Sequence, residues 1–210
     1  MSTTDPSYYL TQLYPLQDDV LAVLQSIETG FYLTGGTAVS RYYLQHRFSD
    51  DLDFFVNDHP KFLLWSDRFI QALHQSKAWS CTVANRDERF VRLWVQTATL
   101  SLKIELINDV PAHVGRIREH PVLGRVDSAE NILANKVTAV LGRSESKDLA
   151  DIWGFCCQQG LSLPAALDNA QSKAAGIFAP DLARALSQVT PTDWQIIRWI
   201  SPPPRHQFLQ

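Results

Sequence analysis

The stretch from Tyr32 to Phe55, YLTGGTAVSRYYLQHRFSDDLDFF, limits what this chain can fold into more than any other segment. The aromatic and apolar run Phe31 to Leu33 meets Gly35 and Gly36 at once, which predicts a buried strand entering a tight turn. Thr34 or Thr37 can cap the helix that follows, with Ala38, Val39, Tyr42 and Tyr43 on its inner side. Backbone N–H groups exposed at such a turn, together with the helix dipole, make an anion site. A second run, Asp51-Leu52-Asp53-Phe54-Phe55, reads as a strand in which Asp51, Asp53 and Phe55 share one face while Leu52 and Phe54 enter the core. Two same-face carboxylates, about 6.5–7 Å apart along a strand, can converge on one Mg²⁺ or on a pair of ions. Either pattern alone is common in turns and polar strand ends. Coupled, they describe a metal-dependent nucleotide site in which the glycines cradle phosphates and the two acids hold the cation. Strand parity leaves Asp50 outside it.

The chain's 210 residues suffice for one domain of ordinary size with a helical extension. No apolar run reaches the roughly 18–20 residues that span a bilayer, and the polar start MSTTDPS lacks a signal pattern. No membrane association is expected, and the cytoplasm is the expected compartment. Cys81, Cys156 and Cys157 have no metal-ligand spacing and read as reduced, packed thiols. A net charge of −3 gives no overall attraction to nucleic acid, yet residues 41–147 hold 15 of the 19 Lys and Arg against 13 of the 22 Asp and Glu. A phosphate-rich partner would meet that middle region, although solvated surface charge accounts for the same counts.

Residues 6–28 carry apolar positions near helical spacing and suggest one or two amphipathic helices that do nothing but pack. Pro60 to about Gln75 is a further helix with Phe62, Leu63, Trp65, Phe69, Ile70 and Leu73 inside. Trp79 to Ala84, Phe90 to Gln96 and Thr99 to Asn108 predict an antiparallel meander. In the last run, parity places Lys103 and Glu105 together on the polar face, where Glu105 can complete a metal triad or act as base, or else pair with Lys103 as a surface ion pair. Asn108 to Gly124 is irregular and reads as a loop crossing the sheet edge. Asp127 or Ser128 can cap a helix to Leu141 whose apolar stripe includes the position of Lys136. A lysine there needs a partner or a ligand, or must snorkel to the rim. Gly142 to Ser146 breaks the helix, and Asp148 and Asp151 near the start of the next can favour its dipole or orient Lys136, Lys147 or Arg143. The rest is helical, ending in an extended Ser201-Pro-Pro-Pro tail.

Leu33-Thr-Gly-Gly-Thr-Ala through His46-Arg-Phe-Ser-Asp-Asp-Leu-Asp-Phe-Phe55 resembles the nucleotidyltransferase motif of the AbiEii/AbiGii toxin family, in the polymerase-beta-like superfamily. Ile132-Leu-Ala-Asn-Lys136, Arg143 and Lys147-Asp148-Leu-Ala-Asp151 resemble that family's second signature, and together the two span about residues 31–155. The resemblance implies an α/β (α+β) nucleotidyltransferase fold: a mixed, largely antiparallel sheet flanked by helices over residues 1–125, with a helical subdomain over 126–210 packed on it. It implies that Gly35, Gly36 and Thr37 form the phosphate-binding turn, with Arg47 and Ser49 leading into the acids. Asp51 and Asp53 become metal ligands, joined by Glu105 through strand parity. Lys136 becomes the triphosphate-contacting lysine, and Asp148, or Asp151, the last acid. Lys147 departs from the arginine usual before that acid, which loses bidentate geometry but keeps the charge.

The activity implied is Mg²⁺- or Mn²⁺-dependent transfer of a nucleoside monophosphate from an NTP to a hydroxyl, with tRNA or another RNA-related target as acceptor and an antitoxin as partner. Two alternatives stay open. One is a small-molecule nucleotidyltransferase of the kind that adenylylates antibiotics. The other is a non-catalytic module that binds nucleotide or a partner through a vestigial site.

Overall fold

The computed structural model describes residues 5–143 and 145–209. Ser144, inside the expected helix break, lies outside them. The chain divides into two compact units, the first comprising Met1–Ala38, Ser49–Pro111 and Ile117–Asp127, the second Val39–Phe48, Ala112–Arg116 and Ser128–Gln210.

The first unit holds a seven-stranded sheet. Its strands are β1 (Tyr32–Thr34), β2 (Leu52–Asn57), β3 (Ser80–Arg86), β4 (Phe90–Gln96), β5 (Ser101–Asp109), β6 (Arg118–His120) and β7 (Gly124–Val126), in the order β3-β4-β5-β2-β1-β7-β6. β2 with β5 and β1 with β7 pair in parallel; the other neighbours are antiparallel. The expected mixed, largely antiparallel sheet is therefore present, and the meander β3-β4-β5 lies where alternation placed it. Alternate residues of β2, β4 and β5 are fully buried, including Leu52, Phe54, Leu93, Leu102 and Ile104, so one sheet face is core and the other carries the polar side chains.

That core is closed by helices α1 (Tyr14–Gln25) and α2 (Phe62–His74). α2 sinks Phe62, Phe69 and Leu73, and the Phe69 ring meets Phe54 edge-on at 5.9 Å. Leu63, expected inside, is 37% exposed because it lies off that stripe. β6 falls inside the stretch expected to be a loop, and β7 begins at that stretch's last residue, Gly124. With three residues each they are too short to show alternation, and backbone pairing with β1 and with each other makes them strands.

In the second unit, α3 (Ala129–Gly142) starts at Ser128, whose Oγ accepts the Asn131 N–H at 3.1 Å, a side-chain N-cap. α4 (Ser146–Trp153) and the helices Leu163–Gln171 and Ala179–Ser187 pack around it. The C-terminal segment is extended through the prolines but ends in a helical turn, Arg205–Phe208, because Phe208 finds burial beside Trp153 and Trp199. Among the described residues no helix is long and apolar enough to cross a membrane.

Candidate active site

In the first unit, Gly35 opens a one-turn helix, Gly35–Ala38, with φ +63°. A Cβ at Gly35 would fall 2.3 Å from Oδ2 of Asp53. The residue must therefore be glycine twice over, for its left-handed backbone and for the close approach of a carboxylate. The threonines expected as caps are used otherwise. Thr34 Oγ1 donates to Oδ2 of Asp127 at 2.6 Å. The Thr37 hydroxyl donates to the Asp51 carbonyl and pairs with the Ser49 hydroxyl at 3.0 Å, so it fixes the backbone that leads into the acids.

The same lead-in is gripped by the N-terminal helix. Gln17, fully buried, donates its amide to the carbonyls of Ser49 and Asp50, each at 3.2 Å. Tyr9 Oη donates to Asp50 Oδ1 at 2.7 Å, and the Ser49 N–H reaches Tyr14 Oη at 3.4 Å. In a regular helix Tyr9 and Tyr14 would point about 140° apart. A π-helical turn, Tyr9–Leu13, changes that phase, and their rings touch at 5.7 Å. Sequence periodicity gave this helix only a packing role; no pattern in it announces the tether.

Strand pairing assembles the acids. β2 and β5 run parallel with Asp53 beside Glu105 and Leu52 beside Ile104, so Asp51, Asp53, Lys103 and Glu105 share the face opposite the core. Lys103 Nζ lies 2.9 Å from Asp51 Oδ2 and 3.4 Å from Glu105 Oε1. Arg92, on neighbouring β4, brings Nε and Nη2 each to 2.8 Å from Glu105 Oε1. Burial alone would lower the Lys103 pKa, but the hydrogen bond and charge of Asp51, with Glu105 and Asp53, outweigh it and raise it.

The second unit brings together a different set. Lys136 is buried, with Nζ 2.7 Å from Asp148 Oδ1 and 2.7 Å from Asp151 Oδ2. Arg47 forks onto Asp151, Nε to Oδ1 and Nη2 to Oδ2 both at 2.7 Å, and His46 Nε2 lies 3.1 Å from Oδ1. Arg143 Nε reaches Asp148 Oδ2 at 3.0 Å, while half-exposed Lys147 pairs with Glu145 at 2.9 Å. Both aspartates are fully buried, which is tolerable only because each carboxylate oxygen has a charged or ring N–H donor. Burial pushes both acids upward, but the charges of Arg47 and Lys136 hold Asp151 well below the usual carboxylate range, and Lys136 with Arg143 hold Asp148 below it. Lys136 is in turn raised, burial being outweighed by Asp151 and Asp148. The orientation of Arg47 is set from the C-terminus: the Phe48 N–H donates to the Arg198 carbonyl and the Ile200 N–H to the His46 carbonyl, both at 2.8 Å, and Trp199 packs on the His46 ring at 6.1 Å.

Of the residues singled out in the sequence, Gly35, Thr37, Ser49, Asp51, Asp53 and Glu105 thus belong to the first unit, and Arg47, Lys136 and Asp148 to the second. Gly36 continues the turn within the Gly35–Ala38 helix. Among the described residues no three acidic, histidine or cysteine side chains close into a metal-binding group. The donor chemistry of the acid face nonetheless fits a hard divalent cation, which commonly takes one or two carboxylates and completes its shell with substrate phosphate. Asp51 and Glu105 already share a positive charge, the Lys103 ammonium, as a stand-in ion.

A mixed sheet with paired acids on an inner strand, entered from a glycine turn, defines a nucleotidyltransferase fold. The chain belongs to the family of AbiEii nucleotidyl transferase toxins of type IV toxin–antitoxin systems, whose model matches residues 20–184. Solved structures agree at the level of fold. The nucleotidyltransferase toxin MenT4 from Mycobacterium tuberculosis aligns with TM-score 0.62 and 18% identity over 86% of this chain and 72% of its own. A putative nucleotidyltransferase from H. pylori aligns with TM-score 0.60 and 18% identity over 95% and 91%. JHP933 from Helicobacter pylori gives 0.55 and 18% over 88% and 89%. No curated protein matches the sequence significantly.

Proposed function

We propose that this toxin-family nucleotidyltransferase moves a nucleoside monophosphate from an NTP to a hydroxyl of tRNA or another RNA in the cytoplasm, and that a cognate antitoxin restrains it. The observation that carries the reading is the shared face of Asp51, Asp53 and Glu105 on adjacent parallel strands, with Asp53 lying on the Gly35 turn. In the transfer, the acceptor oxygen forms a bond to the α-phosphorus, the α–β bridge bond breaks, and pyrophosphate leaves. Asp51 and Asp53, with Glu105, would hold Mg²⁺ or Mn²⁺, which when bound neutralises charge on the transferring phosphate. Glu105 serves as ligand, or as the base that takes the acceptor hydroxyl's proton.

Backbone N–H groups of Gly35 and Gly36 suit a phosphate, and the Thr37 hydroxyl holds the Asp51 backbone in place while they do so. Lys136 serves the triphosphate as a point charge kept ionised by Asp148 and Asp151. Arg47, expected to meet nucleotide, orients Asp151 and through it Lys136.

The test is to incubate the protein with each α-labelled NTP, Mg²⁺ and total RNA, with Asp53→Ala alongside. Label on RNA that Asp53→Ala loses is the expected result. Label on an aminoglycoside and none on RNA replaces the acceptor class, and no transfer to either leaves a binding module only.

A further inference from the structure

The position of Lys103 bears on how many cations this site takes, an inference that rests on the nucleotidyltransferase reading. Lys103 is half-sheltered on the acid face, one strand over from Asp51 and Asp53, and register fixes it there: Leu52 pairs with Ile104, so Lys103 flanks Asp51 as Glu105 flanks Asp53. Its Nζ bonds Asp51 at 2.9 Å and lies 3.4 Å from Glu105. Glu105 is also held by two guanidinium nitrogens of Arg92 at 2.8 Å. Glu105 is thus tied to two fixed cations of the protein itself, and Asp51 shares one of them.

Two divalent ions on such a face would bring four positive charges beside those of Lys103 and Arg92, against three carboxylates. One divalent ion beside the same Lys103 and Arg92 makes four positive charges against the three acids, where two ions make six, and Arg92 covers Glu105 from the side away from β2. A lysine ammonium has the compact, strongly hydrated charge that can replace a metal ion in neutralising phosphate oxygens. We propose that the acid face takes a single divalent cation, held by Asp51 and Asp53, and that the Lys103 ammonium holds the position of the second. Lys103 then works as a fixed counter-charge to the transferring phosphate, and the reaction runs on one exchangeable metal ion.

The experiment is a titration of the full-length protein with Mn²⁺ alone, with free ion read by electron paramagnetic resonance. Asp51→Asn/Asp53→Asn serves to define binding at this face. The wild type should bind one Mn²⁺ that the double variant loses. Lys103→Met, close in shape and without charge, should bind two, and Lys103→Arg, which keeps the charge, should return to one. Two ions in the wild type, or one ion in Lys103→Met, overturns the proposal while leaving the nucleotidyltransferase reading intact. No Mn²⁺ bound to the wild type at the acid face also overturns the proposal, whereas the nucleotidyltransferase reading falls only with the RNA-labelling test.

Discussion

Oδ2 of Asp53 lies where a side chain on Gly35 would begin, 2.3 Å from the position of its Cβ. Turn and acid are therefore one unit, and the backbone N–H groups of the turn are held in a fixed relation to the carboxylate. Gly35→Ala must both hold a left-handed φ, at about 1–2 kcal/mol, and push Asp53 aside. The variant is expected to fold and to lose nucleotidyl transfer by roughly 100-fold, the cost of misplacing a reacting group by about 1 Å. Circular dichroism with steady-state kinetics checks it; full activity would separate the turn from the acids.

Gln17 is the second prediction. Its buried amide satisfies two carbonyls in the segment before Asp51. Gln17→Leu keeps the volume and takes this donor from both carbonyls, which should cost about 1–3 kcal/mol in urea unfolding. Because the loosened segment carries the acids, kcat should fall more than KM rises. An equal loss of stability with kcat unchanged would leave Gln17 a packing residue.

Asp151 sits among Arg47, His46 and Lys136 with no exposure. Asp151→Asn breaks a buried ion network and leaves two cations under-compensated, which should destabilise the chain by about 3–5 kcal/mol. Chemical denaturation measures it.

The same network sets the pH range of stability. Asp148 and Asp151 are depressed on folding, so their stabilisation is complete above about pH 4, the unfolded aspartate value, and is lost as pH falls through the lower folded values. Lys136 is raised, so its share is complete below about pH 10.4 and is lost as pH rises further. Thermal melts across pH should show a plateau between these limits, with the acid limb flattened in Asp151→Asn.

Much of the fold and part of the site are legible in local periodicity. A period of two places Asp51 and Asp53 on one face and Leu52 and Phe54 on the other, and helical spacing puts Lys136 inside. What local pattern cannot carry is partnership across distance. Arg47 meets Asp151 from 104 residues away, and Lys103 meets Asp51 only because β2 and β5 pair in one particular register. The Tyr9 and Gln17 tether depends on a π-helical turn, which alters the phase that periodicity assumes. β6 and β7 are set by pairing alone.

Asp51, just before β2, and Asp53, within it, are proposed to support transfer of the nucleotide and not of the terminal phosphate. The most direct measurement compares label transfer to RNA from α-labelled and γ-labelled NTP, with Mg²⁺, by the wild type and by Asp51→Asn. Transfer of α label only, with the γ label recovered in pyrophosphate and both signals lost in Asp51→Asn, is the predicted result. Transfer of γ label to the acceptor, or α transfer that survives in Asp51→Asn, would contradict it.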